Sequence, residues 1–83
     1  MFTMRINLIA FGIAKDIIQS KQLEVELTEG DTISSLKAKL FQRYPDFSNL
    51  KSLSFAVGDN YEEDSFTLHN NDEVVIIPPV SGG

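Results

Sequence analysis

The residues best suited to chemistry stand together at the end of the sequence, Pro78-Pro79-Val80-Ser81-Gly82-Gly83. Proline fixes φ, so the pair stiffens the exit from the apolar run before it. Beyond it the side chains shrink to two residues that have no Cβ. Gly83 is expected to carry a free carboxylate on a thin tip. A carboxylate is a poor electrophile until it is activated. Joined to AMP, its acyl carbon becomes open to attack, and a sulfur nucleophile would leave a C-terminal thiocarboxylate. A bulky last residue would slow that attack and would not pass a narrow channel that excludes water. Gly83 is therefore the candidate reacting residue, and Pro78, Pro79, Val80, Ser81 and Gly82 are the segment expected to thread into a partner.

Little else in the chain offers chemistry. With no cysteine there is no thiol nucleophile, disulfide or iron–sulfur ligation, and one histidine, His69, cannot form a His cluster. Glu24/Glu26 and Glu62/Glu63 are the paired carboxylates, and both read as solvated surface. Asp59, Glu62, Glu63 and Asp64 offer oxygen ligands, but their spacing matches no calcium loop, so no metal is expected. Seven basic against twelve acidic residues give a net charge of -5. Nucleic acid and anionic membranes are therefore disfavoured as partners, and a basic protein surface is favoured. The opening MFTMRINLIAFG is too short and too interrupted by Arg5 and Asn7 for a span or signal. Together with the lack of cysteine, that makes a cytoplasmic location the expectation.

Eighty-three residues make one domain, 1–83, too small to wall a deep cleft, with 78–83 as an exposed tail. Met4, Ile6, Leu8 and Ala10 alternate with Arg5, Asn7, Ile9 and Phe11, which predicts a first strand ending at Gly12. A short helical stretch over Ile13 to Ile18 follows. Leu23, Val25 and Leu27 then alternate with Gln22, Glu24 and Glu26 as a second strand. Thr32 is the expected cap of a helix whose face carries Ile33, Leu36, Leu40 and Tyr44, stopped by Pro45. Asp46 to Lys51 reads as a polar linker, and Leu53 to Val57 as a third strand before a turn at Gly58-Asp59-Asn60. Tyr61 to Leu68 reads as a loop feeding a short edge strand. Val74 to Ile77 is an apolar run expected at the sheet's centre.

That order predicts an α+β domain, a mixed sheet of four to five strands with one main helix across one face. Setting the first and last strands side by side in parallel gives the β-grasp, or ubiquitin-like, arrangement. Ile9 and Phe11 would then face away from the helix, joined by Val75 and Ile77, as an apolar patch beside the tail. Such patches usually mark partner surfaces.

Asp72-Glu73-Val74, Val75-Ile76-Ile77 and the closing Pro78 to Gly83 resemble the C-terminal signature of the small subunit of molybdopterin synthase, the MoaD family. The likeness covers essentially the whole chain, including Ala10-Phe11-Gly12, Thr32-Ile33-Ser34-Ser35-Leu36 and Tyr44-Pro45. It implies a sulfur carrier whose Gly83 is adenylated by an E1-like activating enzyme using ATP and Mg²⁺, with no cofactor bound by this chain. A sulfurtransferase would supply the sulfur, giving a thiocarboxylate. The tail would enter the large catalytic subunit, which converts cyclic pyranopterin monophosphate to the dithiolene of molybdopterin. A heterotetramer with a small subunit at each end is implied. The acid–base groups would belong to the large subunit, so this chain would donate sulfur without being the catalyst.

Two positions depart from the family pattern. Gly58 stands where Asn is common and is expected to loosen its hairpin. Asn71 stands where Gly is frequent and is expected to keep a left-handed backbone. The rival readings are a thiazole-pathway sulfur carrier, a ubiquitin-like protein modifier, and a β-grasp interaction module with an idle tail.

Overall fold

A computed structural model describes residues 2–50 and 53–78 of the chain. Eight residues of strict alternation make β1 (Thr3–Ala10), which buries Met4, Ile6, Leu8 and Ala10. A left-handed Gly12 (φ 56°) breaks the strand and opens α1 (Gly12–Ile18), which returns the chain to β2 (Gln22–Thr28). β2 pairs antiparallel with β1, from Thr3 opposite Thr28 to Ile9 opposite Gln22. Gly30 (φ 96°) and the Asp31 carboxylate, which accepts the Thr28 N–H at 2.9 Å, turn the chain into the main helix.

That helix, α2 (Ile33–Arg43), starts as the sequence predicts. Thr32 Oγ1 accepts the Ser35 N–H, and Ser35 Oγ accepts the Thr32 N–H in return. This reciprocal box satisfies donors that a helix start leaves orphaned. Two more are taken by the loop that follows β4 (Asn60–Glu62): Ile33 N–H donates to the Phe66 carbonyl and Ser34 N–H to that of Asp64. Ile33, Leu36 and Leu40 are fully or nearly fully buried against the sheet.

The sheet has five strands in the order β2-β1-β5-β3-β4, with β3 spanning Ser54–Val57 and β5 Glu73–Ile77. β1 and β5 lie side by side in parallel at the centre, Asn7 opposite Glu73 and Ala10 opposite Ile76. A turn docked on β1 seeds that register. Arg5 N–H donates to Asn70 Oδ1, Asn71 N–H to the Arg5 carbonyl, and Asn7 N–H to the Asp72 carbonyl. Asn71 sits at φ 70°, the left-handed conformation expected of it. This mixed sheet with its helices on one face is the β-grasp arrangement.

Three expectations need correction. Pro45 to Asn49 is a 3-10 turn rather than a linker, with Phe47 fully buried. Pro45 starts it and Ser48 Oγ donates to the Pro45 carbonyl. Phe47 stacks on Phe41 and meets Tyr44 edge-on, both with ring centres 6.2 Å away. The edge strand β4 precedes its loop instead of following it, because the two-residue turn at Gly58-Asp59 brings the chain straight back. Gly58 builds that turn rather than loosening it. Its φ is 62° and that of Asp59 is not positive, the pattern of a II′ hairpin turn.

Replacing Phe47 with alanine removes a filled position at the junction of α2 and the sheet. Its cost should be about 3–5 kcal/mol, read as a lower denaturation midpoint by circular dichroism. A polar linker residue would move it by less than about 0.5 kcal/mol.

Candidate functional site

The sheet face away from the helices is built by register. Ile9 on β1 lies opposite Val75 on β5, Val75 opposite Ala56 on β3, and Ala56 opposite Tyr61 on β4. Gln22 on β2 completes the row on the far side of Ile9. An apolar strip thus crosses four strands. Ile9, Val75 and Ile77 are half-buried on this face, and Tyr61 is 69% exposed. One step toward the strand end, Ile77 lies opposite Ser54. Phe11 keeps an extended backbone (φ -130°, ψ 160°) and is 51% exposed beyond Ile9. The four predicted patch residues therefore share one face.

One step the other way, the strip becomes acidic. Asn7 lies between Glu24 on β2 and Glu73 on β5, and Arg5 reaches Glu24 at 3.8 Å. The face is an apolar strip bordered by carboxylates, as the chain's charge of -5 favours for a basic partner surface.

The same pairing fixes where the tail begins. β5 ends at Ile77, and Pro78 follows beside the left-handed Gly12, where a Cβ added to the glycine would stand 4.0 Å from Pro78 Cγ. Apolar strip and tail base therefore meet at one end of the sheet. Pro79, Val80, Ser81, Gly82 and Gly83 lie outside the described residues.

Ala56 and Tyr61 belong to the strip although the sequence reading does not single them out. The signal for them is the two-residue turn at Gly58-Asp59, which leaves only one hairpin register and so sets Ala56 against Tyr61. His69 stands apart from this face, its side chain 76% exposed and 3.9 Å from Asp72. Glu24 and Glu26 face solvent on β2, and Asp64 engages Lys37 at 3.2 Å. Among the described residues, no three His, Asp or Glu side chains converge as a metal site. No described helix is long and apolar enough to cross a membrane.

Fold and face define a ubiquitin-like β-grasp protein. The solved small archaeal modifier protein 1 of Methanosarcina acetivorans superposes with a TM-score of 0.80 at 19% identity, all of each chain being covered. The model of the ThiS family matches residues 8–83, and the chain belongs to that family. It is 30% identical over 83 residues to a molybdopterin synthase sulfur carrier subunit of Chlamydomonas reinhardtii, covering 96% of this chain and all of that one. The subunit of the same name from Arabidopsis thaliana is 27% identical over 82 residues, covering 98% of this chain and 85% of its own length.

Gly12→Ala places a side chain in left-handed backbone without a steric clash at Pro78. It should cost about 1–2 kcal/mol in urea unfolding and leave the sheet's amide spectrum intact beyond β1, α1 and β5.

Proposed function

We propose that this chain is the sulfur carrier subunit of a molybdopterin synthase, with Gly83 as the acyl terminus that carries the sulfur. The observation that carries the reading is the family match running through residue 83, so that the Gly82-Gly83 end falls inside the shared region. The relatives named as sulfur carrier subunits align over nearly all of this chain, which supports the same reading.

In the proposed cycle, an E1-like enzyme binds ATP and Mg²⁺ and presents the α-phosphorus to the Gly83 carboxylate. Attack releases pyrophosphate and leaves an acyl adenylate. Hydrosulfide attacking the acyl carbon displaces AMP and leaves the thiocarboxylate directly; a sulfurtransferase persulfide displaces AMP to give an acyl disulfide, whose S–S bond a thiol then reduces to release the thiocarboxylate. The chain supplies no acid or base to these steps. Its part is presentation, with the segment Pro78, Pro79, Val80, Ser81 and Gly82 entering the channel of the large subunit. That subunit transfers the sulfur to cyclic pyranopterin monophosphate, and two transfers build the dithiolene.

The strip at Ile9, Phe11, Val75 and Ile77, extended by Ala56 and Tyr61, would dock on the large subunit beside the tail channel. Docking next to the tail makes its insertion intramolecular, so a modest face suffices to hold the tip in place. Glu24 and Glu73 would meet basic residues at the rim.

Incubation with the activating enzyme, ATP, Mg²⁺ and a sulfur source should raise the intact mass by about 16 Da, one oxygen exchanged for sulfur at Gly83. Deleting Gly83 should abolish that shift while leaving the folded spectrum unchanged. Full sulfur transfer by the deleted chain would refute the assignment. Conjugates to lysines of other proteins, with no product from the pyranopterin, would favour a modifier.

A further inference from the structure

At both ends of the hairpin, Ala10 N–H donates to the Lys21 carbonyl and Glu29 N–H to that of Phe2. With the continuous antiparallel register between these two bonds, odd-numbered residues of β2 spend their backbone groups on β1. Gln22, Glu24, Glu26 and Thr28 therefore aim theirs outward, along a strand that ends the sheet.

Most of that outward row is already occupied. Ser20 Oγ accepts the Gln22 N–H at 3.3 Å and donates to the Gln22 carbonyl at 2.6 Å. Asp31 takes both Thr28 groups, its carboxylate accepting the N–H and its own N–H donating to the carbonyl, each at 2.9 Å. Lys39 Nζ donates to the Glu26 carbonyl at 2.6 Å. Among the described residues, the Glu24 N–H, the Glu24 carbonyl and the Glu26 N–H have no partner. Both ends of the edge are closed by local side chains, and a three-group window stays open in the middle.

The window lies over a groove of about 270 Å³ between β2 and α2, with Leu23, Val25 and Leu40 in its lining and Arg43 on its wall. On the other side of the strand, Glu24 and Glu26 hold their carboxylates on the open face of the sheet. We propose that this window takes an extended segment of a partner protein whose basic residues alternate with an apolar one. Residues paired opposite Glu24 and Glu26 share their face and meet carboxylates, while the residue between them turns into the groove. The bonds to the window give affinity and the alternate side chains give the selection.

Charge decides against a second copy of this chain. Antiparallel self-pairing centred on the window sets Glu24 directly against its twin, and like charges so placed are destabilising. The proposal is independent of the tail chemistry, because this edge lies at the far side of the sheet from β3 and does not include Pro78.

The test is a chemical-shift titration of the full chain with a capped Lys-Val-Lys-Val-Lys peptide. Shifts should concentrate at the Glu24 and Glu26 amides and along Lys39 to Arg43. Methylating the peptide's backbone nitrogens keeps its charge but removes its donors, and should weaken binding at least about tenfold. Glu24→Lys should weaken it comparably. Lys39→Ala should strengthen it about fivefold, because it frees the Glu26 carbonyl as a fourth bonding group. Equal binding of the methylated peptide would overturn the proposal by showing plain charge attraction. So would equal binding of Glu-Val-Glu-Val-Glu, shifts centred on the Ile9–Val75 strip, weaker binding by Lys39→Ala, or dimerisation of the free chain through β2.

Discussion

The parallel pairing of β1 with β5 is the constraint on which the rest depends. Both strands bury every second side chain in the core, and each spends both of its edges on a neighbour. Parallel neighbours cannot be joined by a tight turn, so the chain between β2 and β3 must cross over one face of the sheet to reach its other side. That crossover holds α2 and buries Ile33, Leu36 and Leu40 under it. The opposite face is left open, and its composition follows from the same register: Ile9 against Val75, with Ala56 and Tyr61 continuing the row. The exit of the chain follows too, since β5 ends level with the end of β1 and delivers Pro78 beside Gly12. Moving β5 by one residue would turn Val74 and Ile76 outward and send Val75 and Ile77 into the core.

A domain built this way suits the division of labour proposed between a sulfur carrier and its large subunit. Its core is consumed in holding the sheet, and its acids lie in solvent, in surface pairs such as Arg5–Glu24 and Lys37–Asp64, or on backbone N–H groups, as Asp31 and Asp72 do. What remains for function is surface and tail. One broad face is apolar with an acidic border, and the tail base stands at its end. The β2 edge is handled differently. Ser20, Asp31 and Lys39 cap most of its exposed groups, which protects an edge strand from indiscriminate pairing.

Much of this is legible in the residues. Thr32 as a cap, the helix face of Ile33, Leu36 and Leu40, and the alternation of Met4 to Ala10 each express a local rule with one reading. The parallel centre is legible because the first and last strands are both strongly apolar, which suits places at the middle of the sheet. The failures have equally local causes. Phe47 reads as a lone aromatic in a polar stretch, but its burial depends on Phe41 and Tyr44 arriving from the helix before it. Gly58 suggests flexibility, whereas its left-handed φ is what makes the turn tight. Tyr61 shares that error, since a looser turn gives no register from which to place it. The capped edge of β2 is invisible for another reason. Serine, aspartate and lysine near a strand acquire that meaning only when their distances to its carbonyls and N–H groups are known.

The most direct test of the account is a single-turnover reaction. Chain charged with sulfur at Gly83 is mixed with the large subunit and cyclic pyranopterin monophosphate, without activating enzyme or ATP, and dithiolene is counted against chain consumed. One dithiolene should form for every two charged chains, with each spent chain returned as the plain carboxylate. Dithiolene appearing at the same rate with uncharged chain, or none appearing with the charged one, would contradict it.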